Sequence, residues 1–228
     1  MFTGIVEDLG TIVGLENDAD FARLTVDSPT VVTDRTEIGE SIAVNGVCLT
    51  VTSVRGTTFT ADVMHETLRR SSLGSLRRGD HVDVERAMLA DGRFSGHIVS
   101  GHIDGTGVIT SIARDGIAVV VTIRAPYALM RFIAEKGSIA VEGISLTVTH
   151  AGRDSFGVSI IPHTAAHTVL DERRIGDVVN LETDPIAKYT ARLLEMPAGG
   201  GTDGVTAGTD GDAGTGAITA DFLAAHGF

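Results

Sequence analysis

The chain has 228 residues, of which 43% are hydrophobic, so it can form one large domain or two small ones that each bury a core. Its 30 acidic and 18 basic side chains give a net charge of −12, which argues against binding nucleic acid or an anionic membrane, since both need clustered Lys and Arg. One cysteine excludes a disulfide framework, no apolar stretch is long enough to span a membrane, and the first residues lack the regions of a signal peptide, so we expect a cytoplasmic protein.

Short β-strands separated by clusters of Gly, Asp, Ser and Arg are predicted for the first half of the chain. No long stretch has the 3.6-residue periodicity of a helix, which favours an all-β barrel or sandwich. The predicted strands lie near residues 5–13, 22–26, 41–54, 57–64 and 81–85. Short helical turns are predicted for residues 31–36 and, in the second half, 127–135.

The second half of the chain repeats the first. SIAVNGVCLTVT at residues 41–52 matches SIAVEGISLTVT at residues 138–149 at nine of twelve positions, with an offset of 97. The same offset aligns Phe59 with Phe156 and Glu85 with Glu182 without a gap. The chain therefore contains two copies of one unit, residues 1–87 and 98–184. Taken with the connecting segment 88–97, the predicted domains are residues 1–97 and 98–184.

The sequence beyond residue 184 is predicted to begin with a helix over residues 185–196. Asp184 supplies an N-cap and Pro185 the first helical residue. One face of this helix would carry Ile186, Tyr189, Leu193 and Met196. Residues 197–228 are predicted to be a low-complexity linker, rich in Gly, Thr and Asp, and a short terminal helix capped by Thr219 and ended by Gly227.

The repeated strand indicates a ligand site. Because side chains alternate between the two faces of a strand, Cys48 and Thr50 share one face in the first copy, opposite a row of apolar residues. Ser145 and Thr147 take these positions in the second copy. Small polar groups beside a packed row could line a flat ligand, and the alternative is a solvent-facing or strand-paired threonine.

Metal and covalent chemistry are less well supported. His97 and His102 are five residues apart, which puts them on opposite faces of a strand, and no Cys or carboxylate cluster completes a metal site. Cys48 has no evident histidine or helix N-terminus to lower its pKa as a nucleophile requires. His102 follows Gly101, which can bring backbone close to a ligand, so both a surface and a ligand-facing role stay open.

Together these motifs resemble the riboflavin synthase family of the bacterial α-chain type. The resemblance rests on MFTGIV at residues 1–6, NGVCLTV at 45–51, SGHIDG at 100–105, EGISLTV at 142–148 and IPHT at 161–164. It implies an all-β fold of two tandem homologous six-stranded Greek-key barrels, followed by a C-terminal α-helix that helps trimers associate and by a flexible tail. It also implies a cofactor-free, metal-free homotrimer that converts two molecules of 6,7-dimethyl-8-ribityllumazine into riboflavin and 5-amino-6-ribitylamino-uracil by transfer of a four-carbon unit. Association with lumazine synthase is a further expectation.

The resemblance assigns a lumazine pocket to each barrel. The first comprises Cys48, Leu49, Thr50, Asp62, Val63, Met64, His65, Glu66, Thr67, Gly101, His102 and Ile103. The second comprises Ser145, Leu146, Thr147, Ser159, Ile160, Ile161, Pro162, His163, Thr164, Gly4, Ile5 and Val6. Lys136 matches a lysine that contacts the ligand from the adjacent chain, and Phe2 shapes the site. The implied catalytic residues are His102, Ser145, Cys48, Ser41 and Thr147. The hypothesis is that His102 and Ser145 relay protons while Cys48 and Thr50 orient the second ring.

The reaction explains the duplication, since two copies of one substrate must lie face to face. In the family, the N-terminal barrel of one subunit faces the C-terminal barrel of its neighbour. Differences between the copies, such as Asn45 against Glu142 and Cys48 against Ser145, are expected to distinguish donor from acceptor. Glu142 replaces the aspartate usual in the family, which affects the reach of its carboxylate toward the ligand. The tail is expected to be dispensable for chemistry.

Two other classes compete with an enzyme. Lumazine proteins share the barrels and bind a chromophore without converting it, but they depart from the SGHI and SLTV motifs, which are both whole here. An oligonucleotide-binding β-barrel is disfavoured by the net charge of −12 and the few aromatic residues.

Overall fold

Two closed antiparallel β-barrels dominate the computed structural model, which describes residues 1–195. The first barrel consists of β1 (Asp8–Asn17), β2 (Phe21–Asp27), β3 (Ser41–Val44), β4 (Val47–Arg55), β5 (Thr58–Met64) and β6 (His81–Arg86). The second consists of β7 (Gly105–Asp115), β8 (Ala118–Arg124), β9 (Ser138–Val141), β10 (Ile144–Ala151), β11 (Ser155–Ile160) and β12 (Val178–Thr183). The strand order β1-β2-β5-β4-β3-β6 recurs as β7-β8-β11-β10-β9-β12. The prediction of two six-stranded Greek-key barrels is confirmed.

The prediction of one strand over residues 41–54 is wrong. Asn45 and Gly46 form a tight turn with φ of 46° and 79°, so the segment is the hairpin β3–β4. Glu142 and Gly143 form the same turn between β9 and β10, with φ of 52° and 85°. Positive φ at both central residues matches the right-handed twist of the flanking strands, which is why such turns favour Asn-Gly.

Short helices follow equivalent strands in the two barrels. Helix α1 (His65–Arg70) follows β5, and α3 (Pro162–Ala166) follows β11. Each leads into a 3-10 turn, Ser72–Ser75 and Val169–Asp171. These helices were not predicted, because five or six residues are too few to show a helical period. Helix α2 (Tyr127–Met130) confirms part of the helical turn predicted at residues 127–135, whereas residues 31–36 form non-helical turns.

The interior of each barrel is filled by every second side chain of its strands. Large buried residues recur at an offset of 97, as in the pairs Ile12 and Ile109, and Phe59 and Phe156. At about 25 cal/mol per Å² of buried apolar surface, these separate cores stabilise each barrel. The alternate side chains point outward, so polar residues on the outer face of each barrel are supported by its packed core.

The first residues of each half of the chain contact the barrel of the other half. We call these two segments, residues 2–6 and 99–103, the exchanged segments. Phe2 donates a backbone hydrogen bond to Val99 at 2.7 Å, and Val99 donates one back to Phe2 at 3.2 Å. Since these residues are 97 positions apart, the antiparallel bridge lies on a pseudo-twofold axis. Beyond it, Val6 packs against the core of the second barrel and Ile103 against that of the first. Each barrel surface is therefore completed by the other half of the chain.

Helix α4 (Pro185–Glu195) confirms the helix predicted after the second barrel. The Asp184 carboxylate accepts a hydrogen bond from the Ile186 N–H at 2.9 Å and so caps the helix, and Lys188 pairs with Asp104 at 2.9 Å. The side chains of Ile186, Tyr189, Leu193 and Leu194 are 60–81% exposed. Met196, the linker and the second predicted helix lie outside the described residues. No helix within residues 1–195 has the length and apolar character to cross a membrane.

Candidate active site

Each barrel is contacted by one of the exchanged segments. The Cys48 N–H donates to the Gly101 carbonyl at 2.9 Å, and the Ser145 N–H donates to the Gly4 carbonyl at 2.7 Å. The structure thus brings together the residues grouped in the first predicted pocket, on β4, and those grouped in the second, on β10. Their roles toward a ligand stay predictions.

Glycine is required where each exchanged segment contacts its strand, at Gly4 beside β10 and at Gly101 beside β4. Gly4 and Gly101 have φ of 75° and 81°. A Cβ on Gly4 would lie 2.7 Å from the Ser145 nitrogen, and one on Gly101 would lie 2.9 Å from the Cys48 nitrogen. Only a residue without a side chain permits this backbone approach, which explains the glycine in TGIV and in SGHI.

Two buried carboxylates hold the exchanged segments in place. Glu85 accepts backbone hydrogen bonds from Thr3 at 2.7 Å and Gly4 at 3.0 Å. Glu182 accepts the equivalent bonds from Ser100 at 2.7 Å and Gly101 at 2.9 Å. Burial raises the pKa of Glu85, and the hydrogen bonds from Thr3 and Gly4 oppose that rise. Sequence reasoning missed this role, although the two glutamates align in the repeat.

Strand alternation divides the predicted pocket residues into two sets. Cys48 and Ser145 are half-buried and Thr50 and Thr147 are exposed on the outer face of β4 and β10, as predicted. A second set points into the barrel cores: Leu49, Val63, Leu146 and Ile160. Inward-facing side chains cannot reach the outer surface. These four residues would meet a ligand only through their backbone, and their assignment to the pockets stays a prediction.

Other residues of the first predicted pocket lie on β5 and α1. Asp62 forms an exposed ion pair with Arg23 at 2.8 Å, and Met64 is 69% exposed. His65 Nε2 lies 3.1 Å from the Asp18 carbonyl oxygen.

Within α1 and the residue after it, Glu66 accepts hydrogen bonds from Arg69 and Arg70, which lower its pKa. Thr67 accepts a hydrogen bond from Ser71 through its carbonyl oxygen. Most polar groups here thus already have partners within the chain.

Other residues of the second predicted pocket lie at the equivalent place, on β11 and α3. Ser159, the penultimate residue of β11, is half-buried, and Ile161 is 53% exposed before the proline that begins α3. His163 stacks on His167 with ring centroids 4.5 Å apart. Its ring is therefore held by contacts within α3 and the residue that follows.

His97 is the site residue that sequence reasoning missed. Its Nδ1 lies 2.7 Å from the Ser145 hydroxyl, and only 8% of the residue is exposed. Burial lowers the pKa of His97, and the nearby Asp184 carboxylate opposes this shift. A neutral ring at neutral pH can accept a hydrogen bond from the serine hydroxyl. No group of three metal-ligating side chains occurs within residues 1–195.

His102 does not contact Ser145 within one chain. Its side chain is exposed on the segment beside Cys48, and its backbone N–H donates to Glu182 at 3.1 Å. The predicted relay between His102 and Ser145 would therefore have to form between chains. Within the chain the Ser145 hydroxyl lies 2.7 Å from His97 Nδ1, which can accept its hydrogen bond.

Three other predicted residues lie around the exchanged segments. Phe2 is fully buried between the barrels and packs in a cluster with Val99. Ser41, on β3, lines a cavity of about 450 Å³ between the first barrel and the segment that follows β6. Lys136 is exposed, with φ of 64°, and its N–H donates to the Val148 carbonyl at 2.9 Å.

The Glu142 carboxylate does not face a predicted pocket. It lies at a contact between the two barrels, where Ser72 of the first half meets Asn180 of the second. It accepts hydrogen bonds from Ser72 at 3.1 Å and the Asn180 N–H at 2.6 Å, and it pairs with Arg173 at 2.6 Å. The residue is fully buried, and burial raises its pKa while Arg173 opposes this rise. We expected the longer side chain of Glu142, compared with aspartate, to change how far its carboxylate reaches toward the ligand. The structure corrects this, because the carboxylate is buried at the contact between the barrels.

Comparison with known proteins supplies the family. The Lumazine binding domain matches twice, at residues 3–87 and 100–184. The riboflavin synthase of Actinobacillus pleuropneumoniae is 52% identical over 199 residues, 87% of this chain and 92% of that protein. The riboflavin synthase of Bacillus subtilis is 45% identical over 194 residues, 85% of this chain and 90% of that protein. The chain belongs to the riboflavin synthase family.

The fold also matches solved structures with this architecture. LumP, solved in complex with 6,7-dimethyl-8-(1'-D-ribityl) lumazine, has a TM-score of 0.72 and 24% identity, covering 80% of this chain and 99% of that one. LumP in complex with riboflavin has a TM-score of 0.74. At this identity the likeness shows the fold alone. His97 lies in the segment between the two domain matches, so it belongs to neither copy of the riboflavin synthase repeat.

Proposed function

We propose that the chain is a riboflavin synthase that acts as a homotrimer, with two molecules of 6,7-dimethyl-8-ribityllumazine in each active site. The observation that carries the proposal is the duplicated outer face, in which Cys48 and Thr50 in one barrel correspond to Ser145 and Thr147 in the other, each beside an exchanged glycine segment. Relatives named riboflavin synthase at 45–52% identity support it.

Duplicated pockets suit a reaction between two identical molecules. If each pocket holds one lumazine, positioning makes the encounter effectively unimolecular, with effective molarities that can reach about 10⁵–10⁸ M. One molecule loses a proton from its 7-methyl group, and the resulting carbon nucleophile attacks the other molecule. Because one substrate gains the four-carbon unit that the other loses, the exchange needs no external electron carrier.

In this proposal Thr50 and Thr147 orient the two rings. Their hydroxyl groups are exposed on the outer faces of β4 and β10, beside Cys48 and Ser145. The backbone of the exchanged segments forms one border of each face, and it is anchored by Glu85 and Glu182. Rigid support of this kind favours a single reactive orientation of the bound ring.

A carrier that binds the chromophore without converting it is the alternative that the decisive experiment must separate. Purified protein is mixed with 6,7-dimethyl-8-ribityllumazine without added cofactor, and riboflavin absorbance is followed. We expect riboflavin and 5-amino-6-ribitylamino-uracil in a 1:1 ratio. Saturable binding of the lumazine with no riboflavin formed would contradict the proposal and favour a carrier.

Trimer formation is supported by the apolar face of α4, which lies uncovered by residues 1–195. The double variant Tyr189→Glu/Leu193→Glu is expected to shift the protein from trimer to monomer, because carboxylates cannot be buried unpaired in a subunit contact. Turnover should fall at least about tenfold, since the facing pockets come from different subunits. Light scattering after gel filtration gives the mass, and circular dichroism checks the fold. Arg192→Glu, off the apolar face, is the control and should leave the trimer intact.

Association with lumazine synthase and a cytoplasmic location extend the same proposal. Association would bring the enzyme that makes the lumazine next to the enzyme that consumes it. Sedimentation of a mixture of the two purified proteins tests it, and independent sedimentation of both would refute it.

A further inference from the structure

We infer that helix α3 is a movable lid of the second predicted pocket, because it borders a cavity whose equivalent beside α1 is filled. The lid segment comprises residues 161–168, which include Ile161, His163 and Thr164 of that pocket. The inference rests on the proposed function for the identity of the ligand that enters and leaves.

A cavity of about 320 Å³ lies between α3 and the hairpin that joins β7 to β8. Six of the residues that line it are small or apolar: Ile117, Ala118, Val119, Pro162, Ala165 and Ala166. The last three share one face of α3, since residues three and four positions apart lie together on a helix. His163 and Thr164, which are predicted ligand contacts, lie on the other faces. The cavity is therefore next to the lid segment and not next to its predicted ligand contacts.

Larger side chains stand at the equivalent positions of the first barrel. At the offset of 97, Phe21 takes the position of Ala118. Leu68 takes the position of Ala165 and packs against the first core, whereas Ala165 reaches the second core with only a methyl group. The first barrel thus has the apolar contacts between hairpin and helix that the second barrel lacks.

A histidine also fastens α1 to its hairpin. His65 Nε2 lies 3.1 Å from the Asp18 carbonyl oxygen and 3.3 Å from that of Ala19, both in the turn between β1 and β2. Pro162 takes the position of His65 and has no side-chain donor for such a bond. Within residues 1–195, no hydrogen bond joins α3 to the β7–β8 hairpin.

The two ends of the lid segment are fixed, whereas its middle is not. Ile160, before the segment, is buried in the second core, and Val169 and Leu170, after it, are buried as well. Between these anchors, the Thr168 hydroxyl donates to the Thr164 carbonyl at 2.8 Å, a bond within the segment itself. The lid segment can therefore move as a unit about its two ends.

The difference in packing is expected to give the two helices different mobility. A helix of five or six residues depends on tertiary contacts, because isolated helices of this length are not stable in water. Few buried apolar contacts are typical of segments that open locally at low cost. The cavity gives α3 room to retract, which would open the second pocket while the first keeps its shape. Motions of this kind admit substrates and release products.

Hydrogen exchange of the full-length protein without ligand tests the mobility of α3. After correction for intrinsic rates, the amides of α3 are expected to exchange at least about tenfold faster than those of α1. Ala165→Leu introduces the side chain that stands in α1 and should slow exchange in α3 about tenfold by filling the cavity. Ala113→Leu, the same change at an exposed position of β7 outside the cavity, is the matched control and should leave α3 unchanged.

Leu68→Ala is the reciprocal variant and decides the matter if Ala165→Leu does not fold. It opens a cavity beside α1, so the amides of α1 should exchange about tenfold faster while those of α3 keep their rate. Equal exchange of the two helices in the wild type would overturn the inference. Exchange that neither substitution changes would also overturn it, since packing against the hairpin would then not control the motion.

Release of bound riboflavin, followed by its fluorescence after rapid dilution, tests whether the motion acts as a lid. The wild type should release riboflavin in two phases, the faster from the second pocket. Ala165→Leu should slow the faster phase at least about fivefold and leave the slower phase within about twofold. Unchanged release despite slower exchange in α3 would mean that the helix moves without controlling access, and the lid would be refuted. A protein that neither binds riboflavin nor forms it from 6,7-dimethyl-8-ribityllumazine would refute the proposed function, while the exchange rates would still decide whether α3 moves.

Discussion

Gly46→Ala is expected to lower the free energy of unfolding by about 3–5 kcal/mol, the combined cost of a left-handed backbone for alanine and of a steric overlap. Gly46 has φ of 79°, and a Cβ there would lie 2.7 Å from the Gly143 nitrogen and 2.8 Å from its Cα. The contact is reciprocal, because a Cβ on Gly143 would lie 2.7 Å from the Gly46 nitrogen. The two hairpin turns therefore touch backbone to backbone between the barrels.

Gly56→Ala is the control that separates the two costs. Gly56 lies in the next hairpin with φ of 62°, and a Cβ there would have open space within 4 Å. We expect a loss of only about 1 kcal/mol from the backbone conformation. Urea unfolding followed by circular dichroism measures all variants, and Gly143→Ala should resemble Gly46→Ala. Equal losses at Gly46 and Gly56 would show that the contact between the barrels contributes nothing.

Both the success and the failure of the strand predictions have physical causes. The repeat at an offset of 97 and the short strands predicted two all-β units, each a barrel or a sandwich, and the family resemblance specified barrels. At Asn45 the sequence predicts a continuous strand instead of a hairpin, because only two residues interrupt a run of β-forming side chains. At Glu142 a carboxylate replaces the usual turn residue, and the contact with Asn180 stabilises it there.

The site was predictable where the repeat or the family motifs report it. The grouping of Cys48 with Gly101 and of Ser145 with Gly4 was implied by the family resemblance, and the backbone contacts agree with it. His97 could not be found this way, since its partner Ser145 is 48 residues distant and its own segment lies outside the repeat. A histidine in a connecting segment becomes informative only when the fold places it on a neighbouring strand.

Asp83 shows how a difference between the copies affects stability. It occupies the position of Asn180, which accepts a hydrogen bond from the Ser72 N–H at 2.6 Å and donates one to the Asn45 carbonyl at 2.9 Å. Asp83 accepts the equivalent bond from the Val169 N–H at 2.9 Å, but its Oδ2 has no partner within residues 1–195. Only a protonated carboxyl reproduces the donor and acceptor pattern of asparagine.

The surroundings of Asp83 favour that neutral form. Burial raises its pKa well above the ordinary value, and repulsion from the carboxylates of Glu142 and Glu172 adds to the rise. The Val169 hydrogen bond and the positive charge of Arg173 oppose it. The folded protein is therefore expected to keep this proton to a higher pH than the unfolded chain, in which an aspartate carboxyl loses its proton near about pH 4.

Asp83→Asn is therefore expected to stabilise the protein, by an amount that grows with pH. A carboxyl whose pKa is raised on folding loses stability as pH rises from its unfolded pKa toward its folded pKa, at up to about 1.4 kcal/mol per pH unit. Asparagine does not titrate, so the two proteins should differ little in this respect near pH 4 and diverge toward pH 8. Urea unfolding at pH 5, 6, 7 and 8 measures the difference.

Comparing Asp83→Asn with wild type removes the contributions of Glu85 and His97, which titrate in both proteins. Glu142 interacts with Asp83, so its change is part of the measured difference. Asp115→Asn, at an exposed strand position, is the control and should leave the pH dependence unchanged. A constant difference between wild type and Asp83→Asn from pH 5 to pH 8 would mean that Asp83 does not change its protonation on folding. If Asp83→Asn were less stable than wild type by an amount that increases with pH, the folded protein would stabilise the charged carboxylate of Asp83. With the expected result, the contact between the barrels depends on a hydrogen-bond pattern that asparagine supplies at every pH and aspartate only while protonated.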